Sequence, residues 1–281
     1  MELIEIKTDD RHKLSHLFDS PFGGFLAQSI LEGQTGSAYA DQQEHPSFAV
    51  LELSDVPVIF LGGDAHHPLA FNYLKKLPRL TQIFINSADF IPIAHQAQPG
   101  KIVERERWGF AADNLDIEKL QELQSKIPSN YTLKKIDLPL AKRLSDKKNE
   151  FANLHGSAFK SAEDFVENGI GYAALAGDEL ACVGSSFVRC KEGIEIQIDT
   201  DPKHRGNGLA TAVAASLMLY CIENNLEPGW DAATPISASL AKKLGYTPIG
   251  EYKMVVFTNS RLLVMLRNTI HWFRRLFRRK S

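Results

Sequence analysis

Ile194-Glu-Ile-Gln-Ile-Asp-Thr200, followed by Asp201-Pro-Lys-His-Arg-Gly-Asn-Gly-Leu-Ala-Thr211, is the stretch that decides the fold. Its first half alternates: Ile194, Ile196 and Ile198 fall on one face, Glu195, Gln197 and Asp199 on the other, the period of a strand buried on one side. Arg205, Gly206, Asn207 and Gly208 then put few side chains in the way, so backbone N–H groups can close around an anion. From Leu209 to about Asn224, Val213, Leu217, Tyr220 and Cys221 share a helical face, and the positive N-terminal end of that helix is expected to point into the glycine turn. Strand, glycine turn and helix start together describe a phosphate site.

Spacing excludes two nucleotide folds. A Walker A loop needs Gly-x-x-x-x-Gly-Lys followed by Ser or Thr, which Arg205 to Thr211 does not supply, and the dinucleotide fingerprint needs a third glycine that is absent here. Arg205-x-x-Gly208-x-Ala210 instead resembles the Arg/Gln-x-x-Gly-x-Gly/Ala signature of the GNAT superfamily of acyl-CoA-dependent N-acyltransferases. The sequence that follows agrees. Leu226 to Ala232 reads as a short strand holding Trp230 and Asp231, and Thr234-Pro235 as the cap and first residue of a helix with Ile236, Leu240 and Leu244 spaced by four. Gly245 stops that helix before Tyr246, Ile249 and Tyr252 enter a last strand. Leu244-Gly-Tyr246 looks like the Leu-Gly-Phe/Tyr that closes GNAT domains, and Asp164 to Tyr172 with Ile198-Asp-Thr200 is similar to a bacterial subgroup that includes zwittermicin-resistance-type acetyltransferases. The resemblance covers roughly residues 130 to 258.

It implies an α/β (α+β) chain whose C-terminal part has the GNAT acyl-CoA N-acyltransferase fold with a mixed sheet, preceded by a smaller α/β domain. The implied acyl donor is acetyl-CoA, with its pyrophosphate on Arg205, Gly206, Asn207, Gly208, Leu209, Ala210 and Thr211, and its pantetheine arm along Ile198, Asp199 and Thr200. Thr234 stands where the subgroup often has Asn near that arm. The implied reaction is direct attack by a small-molecule amine on the thioester, without an acyl-enzyme and without metal. The attacking amine must be neutral, so a base is needed: Glu195 is the first candidate, against a solvent-facing strand residue, and Asp231 the second, against a helix or turn cap. Many GNAT enzymes carry a tyrosine acid where this chain has Ala241; Tyr246 or Tyr252 could serve instead, or could pack in the core. Ala241 keeps open an alternative, a noncatalytic acyl-CoA-binding sensor that uses the basic tail for a membrane or partner.

Composition bounds the rest. The chain has 281 residues, 44% hydrophobic and 23% charged, as in an ordinary globular protein of one large or two ordinary domains. Its net charge is -2, but residues 261–281 hold seven Lys or Arg and no acid, so the remainder sums to about -9 and a uniformly basic nucleic-acid binder is not expected. Cys182, Cys190 and Cys221 form no Cys-x-x-Cys pair, which suits a reducing cytoplasm. Glu2, Glu5, Asp9 and Asp10 stand where a signal peptide would carry positive charge, and no run of about 18 apolar residues exists to span a membrane.

Three segments are expected: 1–128, an α/β domain; 129–258, the GNAT domain; and 259–281, a basic amphipathic helix. The first carries no recognisable chemistry and reads as a lid, a homodimer surface or one wall of the acceptor pocket. Within it, Glu104, Arg105, Glu106 and Arg107 suit an exposed strand pairing ions with its neighbours. Asp64, His66 and His67 invite a metal reading, but adjacent strand histidines point apart and no third ligand is near, so a solvated loop is expected. No long internal repeat is visible. Leu262, Leu266, Ile270, Phe273 and Phe277 form an apolar stripe with arginines beside it, expected to dock on the acidic remainder or to touch a membrane surface weakly.

Overall fold

The computed structural model describes residues 2–20, 22–53, 56–78 and 80–258. The expected basic helix at 259–281 lies outside the described residues. Strand β1 (Ile4–Glu5) leads through a 3-10 segment, Thr8–Leu17, into helix α1 (Gly24–Leu31). Three strands follow, β2 (Ser37–Ala40), β3 (Phe48–Glu52) and β4 (Val58–Gly63), then α2 (Pro68–Lys75), β5 (Gln82–Ile85), α3 (Phe90–Ala97) and β6 (Ile102–Ala111). Helix α4 (Ile117–Ser125) connects to β7 (Thr132–Lys135), α5 (Leu138–Leu144), α6 (Ala162–Asn168), β8 (Gly171–Ala176), β9 (Glu179–Arg189) and β10 (Gly193–Thr200). The chain closes with α7 (Leu209–Glu223), β11 (Glu227–Ala232), α8 (Pro235–Leu244) and β12 (Thr247–Phe257).

The order β1 to β6 is repeated from β7 to β12: one strand, a helical stretch (with an added 3-10 turn at Lys147–Ala152 in the second half), three strands, then helix, strand, helix, strand. All twelve strands form a single sheet in the order β1-β2-β3-β4-β5-β12-β6-β11-β10-β9-β8-β7. In each half the fourth and fifth strands are parallel, β4 with β5 and β10 with β11. The last strands are exchanged: β12 pairs with β5, and β6 with β11. β6 and β12 also pair with each other over ten registered positions, so the sheet runs unbroken past the turn at residues 128–131 between α4 and β7. A topological repeat is thus present although the sequence shows none. Strand β6 is not exposed throughout: it lies between β11 and β12 in mid-sheet, with Arg105 and Glu106 exposed, Glu104 half-buried and paired with Lys253 of β12 at 2.7 Å, and Arg107 drawn inward.

Alternation sends side chains to two helical layers. Ile194, Ile196 and Ile198 pack with α7, as their period requires. Helices α2, α3, α4, α7 and α8 cover that face, while the 3-10 segment, α1, α5 and α6 cover the other. The second face receives Glu195 and Asp231, and there the candidate site lies.

Candidate active site

Two features of the backbone make the site. First, β10 and β11 pair only from Gly193↔Glu227 to Glu195↔Gly229, and beyond that point β10 pairs with β9 alone, so its edge from Ile196 to Thr200 has no strand opposite. The β9–β10 register shifts between Glu195 and Ile196, a bulge that re-aims the strand where the two partners separate. Second, β10 ends in the glycine turn. Gly208, the residue ahead of α7, has φ +76°, and a Cβ there would meet no atom within 4 Å. The first hydrogen bonds inside α7 run from Thr211 and Ala212 to the Gly208 carbonyl, so N–H groups ahead of Thr211 face outward at the positive helix end.

The remaining residues of this turn are held in place locally. The Arg205 guanidinium donates through Nε to the Thr200 carbonyl (3.3 Å), and the Asn207 amide to the His204 carbonyl (3.0 Å). Lys243 Nζ donates to Thr211 Oγ1 at 3.2 Å, placing a cation beside the helix start. Leu209 is buried and Ala210 half-buried, so each can offer only backbone. Ile198 packs against α7, and Thr200 Oγ1 donates to Cys182 Sγ. Thr234 caps α8 by accepting from the Ser237 N–H at 3.1 Å. Burial works against the Asp199 carboxylate, but hydrogen bonds from His155 and Gln197 and the charge of Arg205 outweigh it and hold its pKa below the usual range.

Glu195 and Asp231 meet on the opposite side of the splayed strands, in a cleft of about 530 Å³. Its other wall is the first half of the chain, from Ser15 to Leu31. Glycines admit this wall: a Cβ at Gly229 would lie 2.3 Å from Phe25 Cδ2 and 2.9 Å from the Ile194 carbonyl oxygen, so the α1 aromatic rests directly on strand backbone. Phe22 stacks on Tyr252 with centroids 4.4 Å apart.

The charged centre is tightly connected. Arg107 Nε donates to Asp231 Oδ1 at 2.8 Å and its Nη2 to the Asp231 carbonyl; the Tyr252 hydroxyl donates to Asp231 Oδ2. Burial opposes the Arg107 charge, yet Asp231, Tyr252 and Glu195 hold its pKa up. Burial and the neighbouring carboxylate likewise keep the Tyr252 hydroxyl protonated. Glu195 is 7% exposed; one oxygen accepts from the Asp231 N–H at 3.2 Å, and the other has no hydrogen-bond partner among the described residues. Burial, then the Asp231 charge, push its pKa up to about 8, against the pull of Arg107 and of that N–H.

Other candidates sit elsewhere. Tyr246 is buried in the core beside Trp230 and donates to the Pro228 carbonyl at 2.8 Å. Ala241 is fully buried in the same cluster. Cys182 is enclosed, its thiol pushed up to about 12 by burial, which argues against a thiolate nucleophile. In the first half His67 caps α2 by accepting from the Leu69 N–H, and Asp64 accepts from the His66 N–H. Arg107 and His155 are the functional-looking residues that sequence reasoning missed. His155 is buried with Nδ1 2.7 Å from Ser185 Oγ and Nε2 3.3 Å from Asp199 Oδ2, and nothing near it in sequence marks it.

Splayed parallel strands, a glycine turn at a helix start and a buried carboxylate agree with the fold that the sequence resemblance implies. The chain belongs to the GNAT acetyltransferase family, whose model matches residues 15–255 and so includes the first half rather than only the expected residues 130–258. It is 27% identical over 271 residues to YdfB of Bacillus subtilis, described as an uncharacterised N-acetyltransferase, covering 89% of this chain and 97% of that one. A GCN5-related N-acetyltransferase-like protein from Streptococcus suis is also 27% identical, with TM-score 0.78 over 89% of this chain and 98% of its own. A tandem GNAT protein from the clavulanic acid biosynthesis pathway shares the fold at 12% identity, with TM-score 0.50 over 91% and 97% of the two chains.

Proposed function

We propose that this chain moves an acetyl group from acetyl-CoA to the amine of a small molecule by direct attack in a ternary complex. The observation that carries this reading is the gap beyond Glu195↔Gly229, which joins the glycine turn at one end to the carboxylate-bearing cleft on the other side. The outward N–H groups ahead of Thr211, with Arg205 and Lys243 nearby, hold the pyrophosphate. The unpaired β10 edge takes the pantetheine arm as an added strand and directs backbone N–H at the thioester oxygen. The acceptor enters from the cleft between α1 and the sheet.

Glu195 then removes a proton from the ammonium. Burial and the Asp231 charge bring the Glu195 carboxyl closer to the pKa of an alkyl ammonium than an ordinary glutamate stands, so the proton transfer is less uphill, and the ionised form that accepts the proton grows as pH rises towards about 8. The neutral amine nitrogen bonds to the carbonyl carbon and the C–S bond breaks; the nitrogen then gives up its second proton to the leaving thiolate, of pKa roughly 8.5, so amide and free thiol result without a dedicated acid, and Glu195 returns its proton to solvent. Arg107 and Tyr252 keep Asp231 fixed, and Asp231 in turn orients Glu195 through its N–H. The test is thiol release from acetyl-CoA over a panel of amines. Amine-dependent release is expected; binding of acetyl-CoA with no turnover on any amine would favour an acyl-CoA sensor, and no binding would overturn the reading.

A further inference from the structure

We infer that the acceptor carries a second cationic centre: a diamine or polyamine whose reacting nitrogen goes to Glu195 while its other charge rests on the carboxylates at the cleft mouth. This deepens the acetyltransferase reading and rests on it. Five carboxylates line the cleft, Asp19, Glu192, Glu195, Glu227 and Asp231, while no Lys or Arg does so among the described residues. Arg107 neutralises Asp231. The other four have no ion-pair partner among the described residues, and Asp19, Glu192 and Glu227 are exposed. Acidic rims are common on surfaces and by themselves select nothing. Here the rim leads to a nine-tenths buried Glu195 with one oxygen unpartnered, in a cavity of drug-ligand size lined by Phe22 and Phe25.

Charges of one sign in a partly walled cleft raise the local concentration of the opposite ion, and excluded water strengthens the pairing. An anionic acceptor meets uncompensated carboxylates on entry, and a monoamine satisfies only the inner one. The three rim carboxylates come from separate parts of the chain, the segment before α1, the β9–β10 turn and the start of β11, and converge only in the folded molecule.

The test compares butylamine, putrescine, spermidine and γ-aminobutyrate as acceptors by kcat/KM. Putrescine or spermidine is expected to exceed butylamine by about tenfold, with γ-aminobutyrate poorest, and the advantage should shrink as salt rises. In an E192Q/E227Q variant, whose exposed positions tolerate the change, the putrescine-to-butylamine ratio should fall several-fold, up to about fivefold per exposed pair. Equal efficiency for butylamine and putrescine, with thiol release intact, overturns this inference and leaves the acetyltransferase reading standing. Should no amine release thiol, calorimetry with putrescine against butylamine still decides: tighter putrescine binding that the double variant weakens supports the dication site, and equal or absent binding refutes it.

Discussion

Replacing Glu195 with Gln separates the demands of chemistry from those of stability. The side chain is buried and its pKa stands near 8, far above its unfolded value, so folding is favoured by the proton it retains. The contribution is complete below about pH 4.3, where both states are protonated, and is lost progressively as pH rises to 8. At 1.36 kcal/mol per unit, the wild type at pH 9 forfeits up to about 5 kcal/mol relative to acid pH, a large share of the 5–15 kcal/mol typical of a domain. Gln keeps an oxygen for the Asp231 N–H and has no charge to bury. E195Q is therefore expected to match wild type in urea titrations at pH 4.5 and to exceed it by about 2–5 kcal/mol at pH 9. Its transfer rate should fall by about 10²–10⁴, and the kcat/KM limb near pH 8 should vanish. A stability difference that does not change with pH, or an unaltered limb, would refute both the raised pKa and the role of Glu195 as base.

Asp231→Asn should remove the carboxylate that Arg107 is paired with, leaving only Glu195 near its charge, and cost about 3–5 kcal/mol in urea unfolding. The same variant removes a cause of the raised Glu195 pKa and leaves the Arg107 charge to act on Glu195 alone, so any residual kcat/KM limb should move to lower pH, a shift that a purely structural role would not produce. Gly229→Ala places a Cβ 2.3 Å from Phe25 and 2.9 Å from a backbone oxygen; a loss of about 1–3 kcal/mol is expected, with a higher acceptor KM because the α1 wall is displaced. Cys182→Ala should retain thiol release within a few-fold, since a thiol of pKa about 12 does not attack; mass spectrometry should find no acetyl group on Cys182 after incubation with acetyl-CoA.

Much of the second half was legible in sequence because its signals are local. Alternation fixed the faces of β10, Gly208 marked the start of α7 and Gly245 the end of α8, and Thr234-Pro235 opened α8 as a cap and first-turn proline do. What escaped were pairings made over long separations. Nothing local states that β6 leaves its own half to lie between β11 and β12, so Arg107, read among the surface charges of its strand, became a buried partner of a residue 124 positions away. Nothing local to Gly193 and Gly229 states that the Phe25 ring will rest on their backbone. Helix α3 has no counterpart in the sequence reading; Pro92 falls in its first turn, where the missing N–H has no intrahelical partner. The first half, chemically silent as a sequence, supplies the wall that turns an acidic strand face into a cleft.

The measurement closest to the central claim is calorimetric titration of acetyl-CoA into wild type and Gly208→Trp. Position 208 has φ +76° and open space around its Cβ, so the variant should fold with a loss of only about 1–2 kcal/mol while its indole occupies the volume where an anion would approach the helix end. The account predicts saturable one-to-one binding by wild type and at least a hundredfold weaker binding by the folded variant. Equal affinities in the two proteins, or no binding by either, would contradict it.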